Sequence, residues 1–285
     1  MSDRLEVRRT AKLFIGGSFP RSESGRSYEV AAHDGRPLAQ VSQASRKDLR
    51  EAVVAARGAF TGWSGATAYL RGQTLYRVAE MMEGRRAQFE AELAVVGADD
   101  PVGGVSASID RWVRYAGWAD KLAQVVGATN PVAGPYFNFT LPEPTGVVGI
   151  VAPGDQSLLG LVSRLAPAIV CGNTAIVIAS ERSPLPAVSL AEVLATSDVP
   201  AGVVNMLTGR TDELVPWLAS HMDVNGIDVT GVPDELLADT ERAAADNMKR
   251  VHRAAGTDPF AADAQSPYEI TAFMELKTVW HPMGG

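Results

Sequence analysis

The chain has 285 residues, 46% apolar and 21% charged, the balance of an ordinary globular protein with room for one large domain or two small ones. Its formal net charge is −7 and its sequence pI about 5.2, so it lacks the basic excess that nucleic acid or an anionic membrane would require of a partner. A single cysteine, Cys171, excludes an internal disulfide, residues 1–10 hold no apolar leader, and no apolar run reaches the ~20 residues of a bilayer span, so a cytoplasmic protein is expected.

Residues 12–15, 28–31 and 37–42 are short, turn-bounded stretches that predict small strands. Ser45, with Asp48 three residues on, marks a helix start, and Leu49, Val53, Ala56 and Phe60 recur after it at helical spacing. Residues 69–82 and 88–96 continue that pattern, and one long helix is predicted over 106–126. The texture changes near Gly134. Residues 136–141 alternate and carry aromatics, predicting a strand that Pro142 and Pro144 should end. Apolar runs at 147–151 and 175–178 read as strands buried on both faces. Further strands are predicted at 203–207 and 226–229, with helices over 158–170, 186–195 and 213–220 between them. Such alternation predicts the fold class α/β, a doubly wound parallel sheet with helices on both faces. Residues 233–253 predict a charged helix and 255–267 a loop or linker. Residues 268–280 predict a strand, with Ile270, Ala272, Met274 and Leu276 alternating.

Five segments are recognisable together. They are Tyr115-Ala-Gly-Trp-Ala-Asp-Lys-Leu122, Pro144-Thr-Gly-Val-Val-Gly-Ile-Val-Ala-Pro153, Leu165-Ala-Pro-Ala-Ile-Val-Cys-Gly-Asn-Thr174, Val199-Pro-Ala-Gly-Val-Val-Asn-Met-Leu-Thr-Gly209, and the stretch from Ala272 ending in Leu276-Lys-Thr-Val-Trp280. In this order they resemble the aldehyde dehydrogenase superfamily over most of residues 12–231 and again at 268–284. The resemblance implies a coenzyme-type domain and a small strand-and-helix oligomerisation element. The divisions it suggests are an N-terminal helical part (1–131), an oligomerisation hairpin (132–144), a Rossmann-like domain (145–254), and a linker with a C-terminal oligomerisation strand (255–285). In that family the hairpin and the C-terminal strand build a sheet that extends the catalytic-domain sheet of a neighbouring subunit. The family chemistry needs a thiolate to attack an aldehyde, NAD(P) to take hydride and a base to activate water.

The chain departs from that pattern where chemistry is concentrated. The family's Trp-Asn-x-Pro is Gly154-Asp155-Gln156-Ser157 here. An amide that would stabilise a developing oxyanion, worth ~100- to 1,000-fold in rate, is replaced by an acceptor-only carboxylate. Lys-Pro-Ser-Glu becomes Ile178-Ala179-Ser180-Glu181, so a ribose would lose its charged partner, and Thr-Gly-Ser becomes Thr230-Gly231-Val232. After Val232 the resemblance is expected to break. The Glu-Leu-Gly-Gly segment of the base and the Gly-Gln-x-Cys segment of the nucleophile have no counterpart, and the roughly 35 intervening residues fall short of the ~50 a domain needs. Asn247-Met-Lys-Arg-Val251 and Lys277-Thr-Val-Trp-His-Pro-Met-Gly284 are similar to the non-catalytic second half of family-sixteen aldehyde dehydrogenases.

No catalytic or metal-binding residue is therefore expected. Cys171 should sit near the amino-terminal edge of the sheet as a small buried hydrophobe, away from the carboxyl ends where ligands bind. His33, His221, His252 and His281 lack metal-ligand spacing, with His252 expected on a solvated helix face and His281 at a strand end. Asp99 and Asp100, before Pro101, read as a loop or helix-end pair rather than a metal site. Ala152, Pro153, Ser180 and Glu181 are the candidate cofactor contacts of a vestigial NAD(P) site, with no cofactor expected to be held. Ser180 and Glu181 read equally as a turn leading into the helix after Pro184, and Asp155 as the cap of the helix beginning near Leu158. The expected role is a non-catalytic subunit, a pseudoenzyme in a hetero-oligomer with a full-length aldehyde dehydrogenase subunit. The alternatives are an NAD(P)-dependent aldehyde oxidoreductase active only within a complex, and a decayed chain without function.

Overall fold

Two apolar runs with no polar face, Val147–Val151 and Thr174–Ile178, lie side by side with every residue buried, so the chain has to cover both of their surfaces. The computed structural model describes residues 9–254 and 258–284. In chain order, β1 (Arg9–Ala11), β2 (Ser27–Ala31) and β3 (Pro37–Ser42) form a small sheet. Five helices follow: α1 (Arg46–Ser64), α2 (Ala68–Glu83), α3 (Arg86–Val95), α4 (Pro101–Ala116) and α5 (Leu122–Val126). Next come β4 (Ala128–Asn130) and β5 (Tyr136–Pro144). The alternating region holds β6 (Val147–Val151), α6 (Leu159–Val170), β7 (Thr174–Ile178), α7 (Leu185–Leu194), β8 (Val204–Leu207), α8 (Thr211–Ser220), β9 (Gly226–Asp228), α9 (Asp234–Ala245) and β10 (Arg250–His252). The short helix α10 (Tyr268–Thr271) and β11 (Met274–Pro282) complete the described chain.

The central sheet is parallel throughout, in the order β10-β9-β6-β7-β8. Alternate residues face opposite layers. Val148, Ile150, Ala175 and Val177 pack with α4, α6 and α7, while Val147, Val151, Ile176 and Ile178 pack with α1, α8 and α9. The fold is thus α/β and doubly wound, as predicted. Helix α1 begins with the expected capping box: Ser45 Oγ accepts from the Lys47 and Asp48 amides, and Asp48 Oδ2 accepts from the Ser45 amide at 2.7 Å. A third sheet, in the order β11-β5-β4, joins β11 to β5 in antiparallel register from Met274 opposite Pro144 to Pro282 opposite Tyr136. Among the described residues, no helix is long and apolar enough to cross a membrane.

Several expected elements shift. The first strand lies at Arg9–Ala11 rather than 12–15, where Phe14 makes only an isolated bridge to Met206. The helix expected over 106–126 spans 101–116 and stops at the C-cap Gly117, whose amide reaches back to Val113 O; α5 is a separate turn. Pro142 does not end β5, which runs on to Pro144 as its last residue. The Thr145 amide donates to Phe273 O, so odd-numbered residues face β11, and both prolines turn their nitrogens to the opposite edge, beyond the reach of β4. The helix expected over 233–253 ends at Ala245. Met248 takes φ 55°, Asn247 Nδ2 donates to Met222 O, and β10 then uses the open edge of β9. Residues 268–271 are helical rather than extended because Ile270 and Phe273, three apart, are both buried. Of the expected linker, residues 255–257 lie outside the described residues, as do residues 1–8 of the expected N-terminal part.

One fully buried side chain joins three of these parts. Asn173 Oδ1 accepts from the Gly146 amide at 2.8 Å, and Nδ2 donates to Ala168 O at 3.0 Å and Phe273 O at 2.9 Å. It ties the end of α6 to the start of β6 and to the residue before β11. Asn173→Ala is expected to strand the Gly146 amide, at ~1–3 kcal/mol for a buried unpaired group, and to take one donor each from Ala168 O and Phe273 O, which keep the Cys171 thiol and the Thr145 amide. Urea denaturation should show roughly 3 kcal/mol lost with an unchanged slope.

Candidate functional site

In an open parallel sheet, the strand order reverses on either side of the first strand, and the crevice at its carboxyl end is the usual ligand position. Here that point lies between β6 and β9. Ala152 follows β6, is buried, and donates its amide to Ile178 O at 2.9 Å. A Cβ on Gly231 would come within 2.2 Å of Ala152 O, so only glycine permits the turn after β9 to pass there. Pro153 lines a cavity of about 720 Å³ at the same point, with Asp155, Ser163, Arg164, Thr230 and Arg253 on its walls.

Ser180 and Glu181 belong to a different part of the carboxyl edge, beyond β7. Ser180 Oγ accepts from the Ser183 amide at 3.2 Å, the geometry of the turn leading into α7. Glu181 serves the start of α8: Oε2 accepts from the Thr211 amide at 3.1 Å, and Oε1 pairs with Arg210 at 2.7 Å. The four candidate contacts therefore share one edge of the sheet but fall into two pairs. Ile178 is wholly buried in β7. Asp155 does not cap α6, whose N-cap Leu158 receives no side-chain bond. Gln156, at φ 57°, turns the chain so that Asp155 stays exposed and Gln156 O takes the Gly160 amide at 2.7 Å. Asp100 does act as a cap, its Oδ1 accepting from Gly103 at 2.8 Å.

Cys171 caps the C-terminus of α6 and is 3% exposed, at the amino-terminal side of the sheet, as its sequence position suggested. Burial pushes its thiol up to about 11. His252 is a correction: being in β10 and not on a helix, it faces inward at the sheet's carboxyl edge. Its Nε2 lies 3.0 Å from Glu269 Oε2 and 3.2 Å from Arg164 Nη1, and its ring meets Phe273 edge-on.

That histidine belongs to a charged cluster which sequence reading missed. Every residue of α6 is buried, Arg164 included. Arg164 Nη1 donates to Glu269 Oε2 at 2.5 Å and lies 3.8 Å from Asp228 Oδ2. Burial pushes the Asp228 carboxyl up, against the Arg164 charge; Oδ1 accepts from the Thr230 amide at 2.9 Å, and Oδ2 has no hydrogen-bond partner. Burial would also raise Glu269, but hydrogen bonds from His252 and the Arg164 charge hold it down at about 2. Arg111, on α4 and 2% exposed, donates through Nη1 to Ser163 Oγ and through Nη2 to Pro259 O at 2.7 Å. Desolvation lowers its pKa, and the neighbouring Arg164 and Arg114 charges push the same way. The available signals were a lone arginine inside the apolar run 158–170 and another between Ile109 and Trp112.

The chain matches the family model described as the aldehyde dehydrogenase family over residues 19–261. The match continues past Val232, where the resemblance was expected to break, and includes β10. The chain is 34% identical over 277 residues to retinal dehydrogenase 2 of Mus musculus, covering 93% of this chain and 53% of that one. It is 35% identical to cytosolic 10-formyltetrahydrofolate dehydrogenase of Pongo abelii, covering 99% of this chain and 32% of that one. Among solved structures it resembles HpcC from Thermus thermophilus, with a TM-score of 0.82 at 30% identity over 87% of this chain and 48% of the other. It also resembles the NAD+ complex of aldehyde dehydrogenase from Bacillus cereus, with a TM-score of 0.78 at 27% identity over 85% and 50%. The chain spans about half the length of the retinal dehydrogenases it matches.

Glu269 makes the cluster sensitive to acid. Its folded pKa, about 2, lies below its ordinary value of 4.5, so its stabilising contribution is present above the ordinary value and is lost as pH falls from there toward 2. Glu269→Gln should therefore destabilise the protein at pH 7. The gap to the parent in thermal midpoint should close as pH falls through that window; a gap independent of pH would contradict the assignment.

Proposed function

The chain belongs to the aldehyde dehydrogenase family, and on that premise we propose that it is a non-catalytic, cytoplasmic subunit that assembles with a full-length, active member of the same family. The observation that carries the reading is the three-stranded arm. Its outer strand, β11, offers a nine-residue edge with no strand beyond it among the described residues. Phe137, Leu141, Leu276, Val279 and Trp280 are exposed on the arm. A long, apolar, unpaired edge is an aggregation hazard unless something covers it. Strand addition by a chain that possesses a catalytic-domain sheet would cover it, whereas a second copy of this chain supplies no such sheet in the described residues.

Three features support the absence of aldehyde oxidation by the chain alone. Its one thiol is buried on the side of the sheet opposite the cavity, with its pKa raised, the reverse of an activated nucleophile. Asp155 occupies the position of the oxyanion-stabilising amide and would repel the charge it should stabilise. The dinucleotide is poorly matched: the carboxylate that would take ribose hydroxyls is bound to Arg210 and the Thr211 amide, and the buried Ile178 offers no donor. Ala152 and Pro153 remain as the vestigial contacts.

Coexpression with a full-length aldehyde dehydrogenase from the same genome, read by size-exclusion light scattering, is expected to give one co-eluting complex. Val279→Asp together with Leu276→Asp on the arm should dissolve it. If the chain elutes alone, monodisperse, and the double variant behaves identically, the subunit reading is wrong. If the complex forms and its turnover depends on Asp155 or Glu181, the chain is part of an active oxidoreductase.

Calorimetric titration with NAD is expected to give no saturable heat. A micromolar dissociation constant, about −8 kcal/mol, would show a working coenzyme site.

A further inference from the structure

Glycine at position 72 lets two helices touch. A Cβ there would come within 2.9 Å of Ala116 O and 3.3 Å of the Ala119 Cβ, so α2 and the end of α4 meet at the backbone. Long side chains stand around that crossing instead of filling it. Tyr69, Leu70, Tyr76 and Val113, each 40% exposed or more, rise from a floor of Gly72, Ala116 and Gly117. They enclose a groove of about 780 Å³, a volume within the ~300–1,000 Å³ of small-molecule sites. No residue of this groove lines the crevice beside β6. It lies toward the other end of the sheet, where the neighbouring Arg71 donates through Nε to Val170 O at 2.9 Å, at the end of α6.

The groove favours positive charge for three reasons. Val113 and Ala116 belong to the last turn of α4, a 16-residue helix whose carbonyl end carries partial negative charge. Lys121 already answers part of it, its ammonium donating to Gly117 O at 2.6 Å. The positive start of α2 reaches the groove as well, but its Leu70 amide is capped by Thr67 Oγ1 at 3.2 Å. Second, two cations and three carboxylates line the groove, which leaves one negative charge. Arg77 pairs with Glu80 at 3.1 Å and Lys121 with Asp120 at 2.9 Å. Asp198, exposed and at φ 59°, has no cation within ion-pair distance among the described residues. Third, Tyr69 and Tyr76, two helical turns apart on α2, are 69% and 51% exposed, so both rings are within reach of a ligand cation.

We infer that this groove binds a lipophilic organic cation, a substituted ammonium whose head lies against the tyrosine rings and whose apolar body covers the glycine and alanine floor. An anion would meet the uncompensated carboxylate and the carbonyl end of α4. A neutral molecule of the same shape would leave both unanswered. A hard metal ion would need several oxygen ligands, and two of the three carboxylates are already paired. The inference rests on the groove's own residues and holds whether or not the chain assembles with a partner.

The test is calorimetric titration of the whole purified chain with benzyltrimethylammonium at constant ionic strength, beside benzyl alcohol and benzoate. Benzyltrimethylammonium is expected to bind saturably at one site, and the neutral and anionic compounds at least tenfold more weakly. Tyr76→Leu keeps an apolar wall but removes a ring face, and should weaken the cation roughly tenfold without changing benzyl alcohol. Asp198→Asn should weaken the cation too, and added salt should erase the difference between that variant and the parent. Tyr268→Leu, which alters an exposed tyrosine outside the groove, should leave binding unchanged. Tyr69→Leu supplies a second ring deletion if Tyr76→Leu does not fold. Absence of saturable benzyltrimethylammonium binding overturns the inference. So does equal affinity for benzyl alcohol or benzoate, or parent-like affinity in the tyrosine variants of the groove.

Discussion

A parallel sheet whose strands are apolar on both faces is stable only when both faces are covered, and most of this architecture follows from that demand. The chain leaves β6, builds β7 and β8 on one side, then crosses back to place β9 and β10 on the other. Each crossover lays a helix on the sheet, so α6 and α7 cover one face and α8 and α9 the other. The reversal opens a crevice at the carboxyl end of β6. Because α6 lies wholly inside the protein, any charge it carries must be answered there, as Arg164 is by Glu269 and Asp228. Covering the sheet thus also produces the polar cluster at its edge.

Much of this was legible because burial leaves a mark on residue order. The apolar runs at β6 and β7, the capping box at Ser45, and the helical spacing in α1 all report on neighbours a few residues away. What could not be read depended on partners far along the chain. β10 is a strand because β9 has an open edge, not because Arg250-Val251-His252 has a strand pattern. β5 runs through Pro142 and up to Pro144 because their nitrogens face an edge that no strand occupies there. Residues 268–271 alternate in polarity, yet two buried side chains three apart decide for a helical turn.

The candidate site was legible to a similar degree. Ala152, Pro153, Ser180 and Glu181 all lie on the carboxyl edge, as strand order requires, but Glu181 reaches across to α8 and away from the crevice. The charged residues of the cluster at the crevice come from α4, α6, β9, β10 and α10, and no short motif joins them. Arg111 and Glu269 are 158 positions apart by their numbers, so only the folded chain brings them into one electrostatic neighbourhood.

The pairing of β5 with β11 has a consequence for the order of events during synthesis. Thr140 and Thr278, whose hydroxyls meet across that pair, are 138 positions apart. At ~5–20 residues per second, a ribosome needs roughly 7–30 s to cover that distance. Throughout that interval β5 has left the ribosome without its principal partner, while a domain-sized sheet can collapse within milliseconds to seconds. The nascent chain therefore passes through a period in which the central sheet is complete and the arm is half built. A chaperone, or another polypeptide made on the same message, has its widest access to that edge before the last strand arrives.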